Sequence, residues 1–232
     1  MHKLLPLVLV IVVLLVLTQY LPAKRFVMYK LGISGDATVS CCSEEEILSS
    51  SGAFEESAAT AIFNNQVIDY PKTSLAKIDA DFAKSQILGT STSFGDEKWI
   101  EVSIQHQTLR AWEGNRIVME FPVSTGLWYP TPKGDYNIWY KTRYQRMQGG
   151  SEELGTYYNL PNVPSNMFFY KGFAIHGAYW HNNFGNPMSH GCVNAPLFQV
   201  AQLFEWAGPN IPSDKNVVRA TTDNPGTRVF IH

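Results

Sequence analysis

The 232-residue sequence predicts a mainly β domain with one packed helix, preceded by an apolar N-terminal helix and a partly helical spacer. Two observations lead to this fold class. Ile100, Val102 and Ile104 alternate with polar residues, which is the period of a half-buried strand. Between Val200 and Ala207, by contrast, apolar residues recur at helical spacing.

The N-terminus contains an unbroken apolar run of 14 residues, Leu4–Leu17. That length suits the apolar region of a signal peptide, and extension through Leu21 gives about 18 residues, the lower limit for crossing a bilayer. Leu21 would occupy position −3 of a cleavage after Ala23, where a small residue is typical. We therefore interpret residues 1–23 as a signal anchor, with a cleaved signal peptide as the alternative. Either one predicts an extracytoplasmic protein.

Residues 24–96 are acidic, with 10 acidic and 6 basic residues, and we interpret them as a spacer or a small helical region. Ser43 and Glu46 have the spacing of a capping box, which predicts a short helix ending before Gly52. The segment Gly89–Gly95 has the composition of a linker. A second helical pattern places three apolar residues on one face: Leu75, Ile78 and Phe82.

Residues 97–232 contain the predicted strands, separated by turn residues. After the strand at Ile100–Ile104, the turn Glu113-Gly114-Asn115 separates two apolar runs, Leu109–Trp112 and Ile117–Val123. This arrangement predicts a β-hairpin. The remaining predicted strands are Tyr136–Tyr140, Gly172–Ile175 and Val229–Ile231.

One helix interrupts these strands. Asn194 is a good N-cap residue and Pro196 suits the first turn. Gly208 and Pro209 end the pattern. Four apolar residues form the face that should pack on the sheet: Val200, Leu203, Phe204 and Ala207.

Reactive side chains are concentrated between His176 and Asn194. Residues 189–192 place a hydroxyl, an imidazole, a glycine and a thiol in succession, directly before the predicted helix. A helix N-terminus lowers the pKa of a nearby thiol, and its N–H groups can hold an oxyanion. Gly191 lets a substrate carbonyl approach the backbone closely. Cys192 is therefore the candidate nucleophile.

A cysteine nucleophile needs an imidazole that takes its proton and later protonates the leaving amine. Three histidines are available: His176, His181 and His190. His176 ends a predicted strand, a rigid position from which to aim an imidazole, and is favoured on that ground. Two other histidines remain alternatives for the base: His190, which is two residues from Cys192, and His181.

A metal site is the rival interpretation of the His and Cys residues. The sequence has no CxxC or HxxxH pair, and no Asp or Glu occurs from Leu154 to Phe204. A catalytic zinc usually has a carboxylate nearby, so we expect no metal and no other cofactor. The net charge of −2 gives no reason to expect a nucleic-acid partner.

The motifs of residues 97–232 resemble those of the YkuD-type L,D-transpeptidase catalytic domain. The signature Ser-His-Gly-Cys-Val-Asn at 189–194 follows an Ile-His-Gly at 175–177. Several further segments match in the same order: Ile100–Ser103, Gln107–Leu109, Glu113–Asn115, Phe121–Gly126, Thr131–Tyr136 and Gly226–Ile231. Several motifs in the order found in the family identify it more specifically than the six-residue signature alone.

The resemblance implies a β-sandwich-like domain that acts on peptidoglycan stem peptides. Cys192 would attack the carbonyl of the third stem residue of a tetrapeptide and release D-Ala. An amine of another stem would then take the acyl group and form a 3→3 cross-link. His176 would be the general base, oriented by the backbone carbonyl of Gly177.

The resemblance also implies roles for the residues before the cysteine. His190, Gly191 and Cys192 would line the oxyanion pocket, with backbone N–H groups as the donors. Ser189 would support the turn.

Four further residues are candidate substrate contacts. Tyr158 and Met167 lie in the aromatic segment 157–170, where family members often have a substrate-facing segment, with core packing as the alternative. His181 is interpreted as a lid or substrate contact, or as part of a solvated loop. Asn194 occupies a position where many members carry Arg.

Three function classes remain open. The first is a peptidoglycan L,D-transpeptidase, attached to the membrane by its N-terminal segment. The second passes the same acyl-enzyme to water or to a protein amine, as an L,D-carboxypeptidase or a protein-to-wall ligase. The third is a catalytically silent wall-binding module, which the presence of both Cys192 and His176 disfavours.

Overall fold

The computed structural model describes residues 42–58, 60–74 and 97–232, which form two β-sheets and two α-helices. The apolar run of residues 4–17, the predicted helix around Ile78 and the predicted linker lie outside the described residues. Within the described part, no helix is long and apolar enough to cross a membrane. In chain order the elements are α1 (Glu44–Ser49), β1 (Ala61–Phe63), β2 (Gln66–Ile68), β3 (Lys98–Ser103), β4 (Thr108–Glu113), β5 (Arg116–Pro122), β6 (Gly134–Asn137), β7 (Tyr140–Gly149), β8 (Tyr158–Tyr170), β9 (Phe173–Gly177), β10 (Val193–Ala195), α2 (Leu197–Trp206), β11 (Val217–Arg219) and β12 (Arg228–Ile231).

The smaller sheet has the strand order β5-β4-β3-β12-β6. The predicted hairpin is confirmed, since β4 and β5 pair antiparallel around Gly114, which has a φ of +56°. Ile100 and Val102 of β3 are fully buried, as their alternation predicts, and Ile104 lies just beyond the strand. The closing strand β12 pairs parallel with β3 in the centre of this sheet.

The larger sheet is built around β8, which is 13 residues long. Strand β7 pairs antiparallel along one of its edges. Strand β9 pairs with the C-terminal part of β8, and β1 pairs with its N-terminal end. Strand β10 then extends the sheet by pairing parallel with β9.

The prediction of one strand over Tyr136–Tyr140 is wrong, because this segment crosses from one sheet to the other. Ile138 N–H donates to the carbonyl of Thr227, at 3.0 Å, next to the smaller sheet. The next amide, of Trp139, donates to the carbonyl of Phe168 in the larger sheet, at 2.9 Å. Because consecutive amides bond to different sheets, β6 ends before the crossing and β7 begins after it.

The main core lies between the two sheets and includes the inner face of α2. The predicted apolar face of this helix is confirmed: Val200, Leu203 and Ala207 are fully buried and Phe204 is 3% exposed. The predicted N-cap is wrong. The helix begins after Pro196, and Asn194 lies in β10, where it is held by pairing with β9.

A second apolar cluster covers the other face of the larger sheet. It combines Phe168 and Leu160 of β8 with Ile47 of α1 and with Cys42. The capping box of α1 is confirmed, since Ser43 Oγ accepts from the Glu46 N–H at 3.2 Å while the Glu46 carboxylate accepts from the Ser43 N–H at 2.7 Å. Helix α1 and Cys42 are therefore packed on the larger sheet, to which β1 and β2 belong.

Candidate active site

The parallel pairing of β9 and β10 brings the predicted nucleophile and base to one face of the larger sheet. Asn194 lies opposite His176 in the register, and Val193 lies opposite Ile175. Val193 and Ile175 point into the main core. Because side chains alternate along a strand, His176 and Asn194 point to the other face, and Cys192 packs in the apolar cluster there.

Cys192, His176 and Asn194 line one cavity. Its volume is about 30 Å³, which is room for one or two water molecules. Among the described residues that line it there is no Asp, Glu, Lys or Arg. The other lining residues are Phe63, Met147, Tyr158, Leu160, Trp180, Met188, Ser189 and His190.

The thiol of Cys192 is buried, and the residue is 5% exposed. Its Sγ accepts a hydrogen bond from the backbone N–H of Ala174 at 3.5 Å and lies 4.0 Å from the carbonyl oxygen of Gly172. A backbone N–H beside sulfur can stabilise negative charge on it. The thiol does not adjoin the N-terminus of α2, because β10 and Pro196 intervene, so the predicted effect of the helix dipole does not apply.

The turn before Cys192 is held by Ser189. Its Oγ donates to the carbonyl of Cys192 at 2.5 Å and accepts from the Gly191 N–H at 3.0 Å. Gly191 has a φ of +107°, and a Cβ atom there would lie 2.5 Å from the Phe173 ring. Gly191 is therefore required for the shape of the turn, and its N–H is engaged by Ser189 rather than directed at an oxyanion.

The imidazole of His176 is buried and has a defined tautomer. Its Nδ1 lies 3.2 Å from the carbonyl oxygen of Gly177. A carbonyl oxygen only accepts hydrogen bonds, so Nδ1 carries the proton and Nε2 keeps the lone pair that can take a proton from a thiol. Gly177 itself is closely packed, since a Cβ atom there would lie 2.9 Å from Pro164.

His190 lies between two aromatic rings. Its ring is stacked on Trp128, with centroids 4.5 Å apart, and is tilted against Tyr158 at 4.7 Å. Tyr158 also lines the cavity, as expected for a substrate contact. Met167 does not: it is fully buried in the main core, where it lies opposite Ile175 in the register.

His181 is half-buried and contacts a residue of the cavity, Asn194, but does not itself line the cavity. Its Nε2 lies 3.0 Å from the side-chain amide of Asn194, and its Nδ1 accepts from the Asn183 N–H at 3.2 Å. Burial, and secondarily the proximity of His176, lower the pKa of His181 to about 4. His181 is therefore neutral at pH 7.

Two aromatic residues of the cavity were not among the predicted site residues. Trp180 lies 5.8 Å from His176 between ring centroids, and Phe63 lies 6.1 Å from Trp180. Phe63 belongs to the hairpin of β1 and β2, far from the signature in sequence. The Asn64-Asn65 pair between Phe63 and Gln66 is the signal that could have revealed this hairpin, because both residues adopt positive φ, as type I′ turns require.

A protein-family model for the L,D-transpeptidase catalytic domain (YkuD) matches residues 97–231. No curated protein matches the sequence.

Several solved structures are similar to parts of the chain. An L,D-transpeptidase from Mycobacterium smegmatis is 20% identical with a TM-score of 0.48, over 60% of this chain and 59% of that one. L,D-transpeptidase 3 from Mycobacterium tuberculosis is 21% identical with a TM-score of 0.46, over 60% of this chain and 62% of that one. An Enterococcus faecium L,D-transpeptidase is 23% identical with a TM-score of 0.44, over 59% of this chain and 50% of that one. The chain thus matches about half to three fifths of these proteins' lengths.

Proposed function

The chain belongs to the YkuD family of L,D-transpeptidase catalytic domains, and on that premise we propose that it is a peptidoglycan L,D-transpeptidase with Cys192 as its nucleophile. One observation carries the residue assignment. Cys192, directly before β10, and His176 of β9 line the same cavity, and the Nδ1 contact with Gly177 leaves His176 Nε2 as the basic atom.

The first half-reaction forms a thioester. His176 Nε2 takes the proton of Cys192, and Sγ attacks the carbonyl carbon of the third residue of a tetrapeptide stem. The tetrahedral intermediate collapses when the C–N bond to D-Ala breaks and the His176 imidazolium protonates the leaving amine. Backbone N–H groups of the turn that ends at Cys192, other than that of Gly191, stabilise the oxyanion, while Gly191 and Ser189 hold that turn in shape.

The second half-reaction transfers the acyl group. The amine of another stem attacks the thioester carbonyl and passes its proton to His176, and the thiolate leaves and recovers that proton. The product is a 3→3 cross-link. The mainly apolar and aromatic lining of the cavity offers few polar groups to hold a hydrolytic water, which supports transfer to an amine.

The substrate and the N-terminal sequence together support an extracytoplasmic location. Peptidoglycan stems lie outside the cytoplasmic membrane, and the apolar run of residues 4–17 favours export, either as an anchor or as a cleaved signal. We place the catalytic residues on the cell-wall side of the membrane, with residues 1–23 as the attachment.

Intact-mass analysis of the full chain incubated with a tetrapeptide stem tests this function. Wild type is expected to form a covalent adduct, release D-Ala and, with an amine acceptor, give a cross-linked dimer. Cys192→Ala should form no adduct. Cys42→Ala is the matched control and should behave as wild type. Cys42, like Cys192, is a buried thiol of the second apolar cluster, but it does not line the cavity.

The outcomes separate the function classes. D-Ala release without a dimer would make the protein a carboxypeptidase. The absence of both an adduct and D-Ala release on folded wild-type protein would overturn the enzymatic function.

A further inference from the structure

The two ring nitrogens of His181 have partners that determine where its proton resides. The backbone N–H of Asn183 points at Nδ1, 3.2 Å away. A backbone amide can only donate, so Nδ1 must carry a lone pair. A neutral imidazole with an unprotonated Nδ1 carries its hydrogen on Nε2, and His181 is neutral at pH 7 because burial lowers its pKa to about 4.

The protonated Nε2 in turn fixes the orientation of the Asn194 side chain. The structure places Asn194 Nδ2 at this position, 3.0 Å from Nε2. An Nε2–H and an Nδ2–H would both be donors, so a protonated Nε2 requires Oδ1 here, with the oxygen and nitrogen of the Asn194 amide exchanged. The oxygen and nitrogen of an amide side chain have nearly the same shape, and the hydrogen-bond network is what assigns them. Nδ2 then occupies the other branch of the amide.

The Asn194 side chain lines the cavity that contains the reacting residues. Asn194 is 2% exposed, lies opposite His176 in the register, and follows Cys192 by two residues on the same face of the sheet. It lines the cavity with both of them. A donor at this place suits a carbonyl oxygen of a bound peptide.

We infer that His181 is a positioning residue that holds the Asn194 amide with Nδ2 towards the cavity, where Nδ2 donates a hydrogen bond to a peptide carbonyl of the acyl donor. This inference rests on the proposed function for the identity of the acyl donor. The orientation of the amide rests only on the contacts of His181 and is tested without substrate.

The first experiment measures the tautomer of His181 in the full-length protein by long-range ¹H–¹⁵N correlation of the histidine rings at pH 7. His181→Phe identifies the resonances of His181 by their disappearance. The Nε2–H tautomer is the expected result. The Nδ1–H tautomer, or a charged ring, would overturn the assignment of the Asn194 amide whether or not the protein is an enzyme.

The second experiment measures steady-state D-Ala release from the tetrapeptide stem. Asn194→Asp keeps an oxygen for His181 Nε2–H but has no N–H to donate, so KM for the acyl donor is expected to rise about tenfold, the loss of one buried hydrogen bond. His181→Phe should also raise KM for the acyl donor. His181→Gln can still donate to Oδ1, so its KM should lie between those of wild type and His181→Phe. A wild-type KM in both Asn194→Asp and His181→Phe would overturn the inference.

Two controls separate this role from structural damage and from failure of the proposed function. Asn182→Ala changes an exposed neighbour of His181 and should keep wild-type kinetics. Alkylation of Cys192 by iodoacetamide needs no peptide carbonyl, so its rate should stay within about twofold of wild type in His181→Phe. If wild type is alkylated but never acylated by the stem, the proposed function fails while the tautomer measurement still tests the orientation of Asn194.

Discussion

The ring of Phe63 lies 6.1 Å from the ring of Trp180, and both side chains line the cavity that contains Cys192. Phe63 belongs to a hairpin outside residues 97–231, the range that the family model matches. The hairpin is fixed to the larger sheet, since Phe63 is paired with Tyr158 and the Asn65 side chain donates to the carbonyl of Glu152 at 2.7 Å. The segment before the family domain therefore supplies part of the wall of the candidate active site.

Phe63→Ala in the full chain is expected to raise KM for the acyl donor about fivefold and to change kcat less. The reason is the loss of roughly 1 kcal/mol of apolar contact with the substrate. Phe63→Leu keeps most of the apolar surface and should recover most of the affinity. Val67→Ala is the control on the same hairpin, because Val67 is 74% exposed and does not line the cavity. Equal KM values for wild type and Phe63→Ala, with the protein folded, would remove Phe63 from the substrate site.

His176→Ala should lower kcat/KM for D-Ala release by about 10²- to 10⁴-fold, the usual contribution of a general base. His190→Ala should have the smaller effect, because the imidazole of His190 is packed between Trp128 and Tyr158 and is expected to shape the cavity rather than move the proton. Both variants are compared by the rate of D-Ala release, with circular dichroism as the check on folding. A larger loss in His190→Ala would transfer the role of base to His190.

The strands and the helix could be predicted where local pattern and tertiary environment agree. The alternation that buries Ile100 and Val102 and the apolar face that buries Val200 and Leu203 are properties of single elements, and the structure confirms them. Asn194 is a good N-cap in isolation. It lies in a strand because the edge of β9 offers parallel backbone pairing, a tertiary interaction that no local pattern contains.

The candidate site was only partly predictable for the same reason. Cys192 and His176 could be singled out by their chemistry and by the family resemblance. The contact between His181 and Asn194 joins residues 13 apart through a loop, and Phe63 enters from a hairpin with strands of only three residues. Strands this short show too little alternation to be recognised, and only the Asn64-Asn65 turn marks them.

Gly191→Ala should lower the free energy of unfolding by about 3 kcal/mol, from an unfavourable positive φ and a clash with the Phe173 ring 2.5 Å away. Gly185→Ala is the matched control, because Gly185 also has a positive φ, of +92°, but a Cβ atom there meets no other atom within 4 Å. The difference between the two variants in urea unfolding isolates the clash. Equal losses would show that the Phe173 ring moves aside without cost.

Lys141 gives the fold a predictable dependence on pH. It is 1% exposed, and its Nζ donates to the carbonyls of Phe204 and Ala207 at the end of α2, at 2.6 and 2.7 Å. Burial lowers the pKa of Lys141 to about 7, from an ordinary value of 10.5; Glu205 opposes this shift and Arg143 adds to it. Above pH 7 the folded protein has therefore lost a proton that the unfolded chain still binds.

Because the unfolded state binds more protons in this window, the contribution of Lys141 to stability rises with pH between about 7 and 10. Lys141→Met removes the titrating group. The free energy of unfolding of wild type, relative to that of Lys141→Met, is therefore expected to increase by about 2 kcal/mol from pH 7 to pH 9. Urea unfolding followed by tryptophan fluorescence at both pH values measures this difference. Lys133→Met, at an exposed lysine, should keep the wild-type change with pH. If the free energy of unfolding of Lys141→Met changed with pH as that of wild type does, the carbonyls of Phe204 and Ala207 would be holding the buried ammonium in its charged form throughout this range.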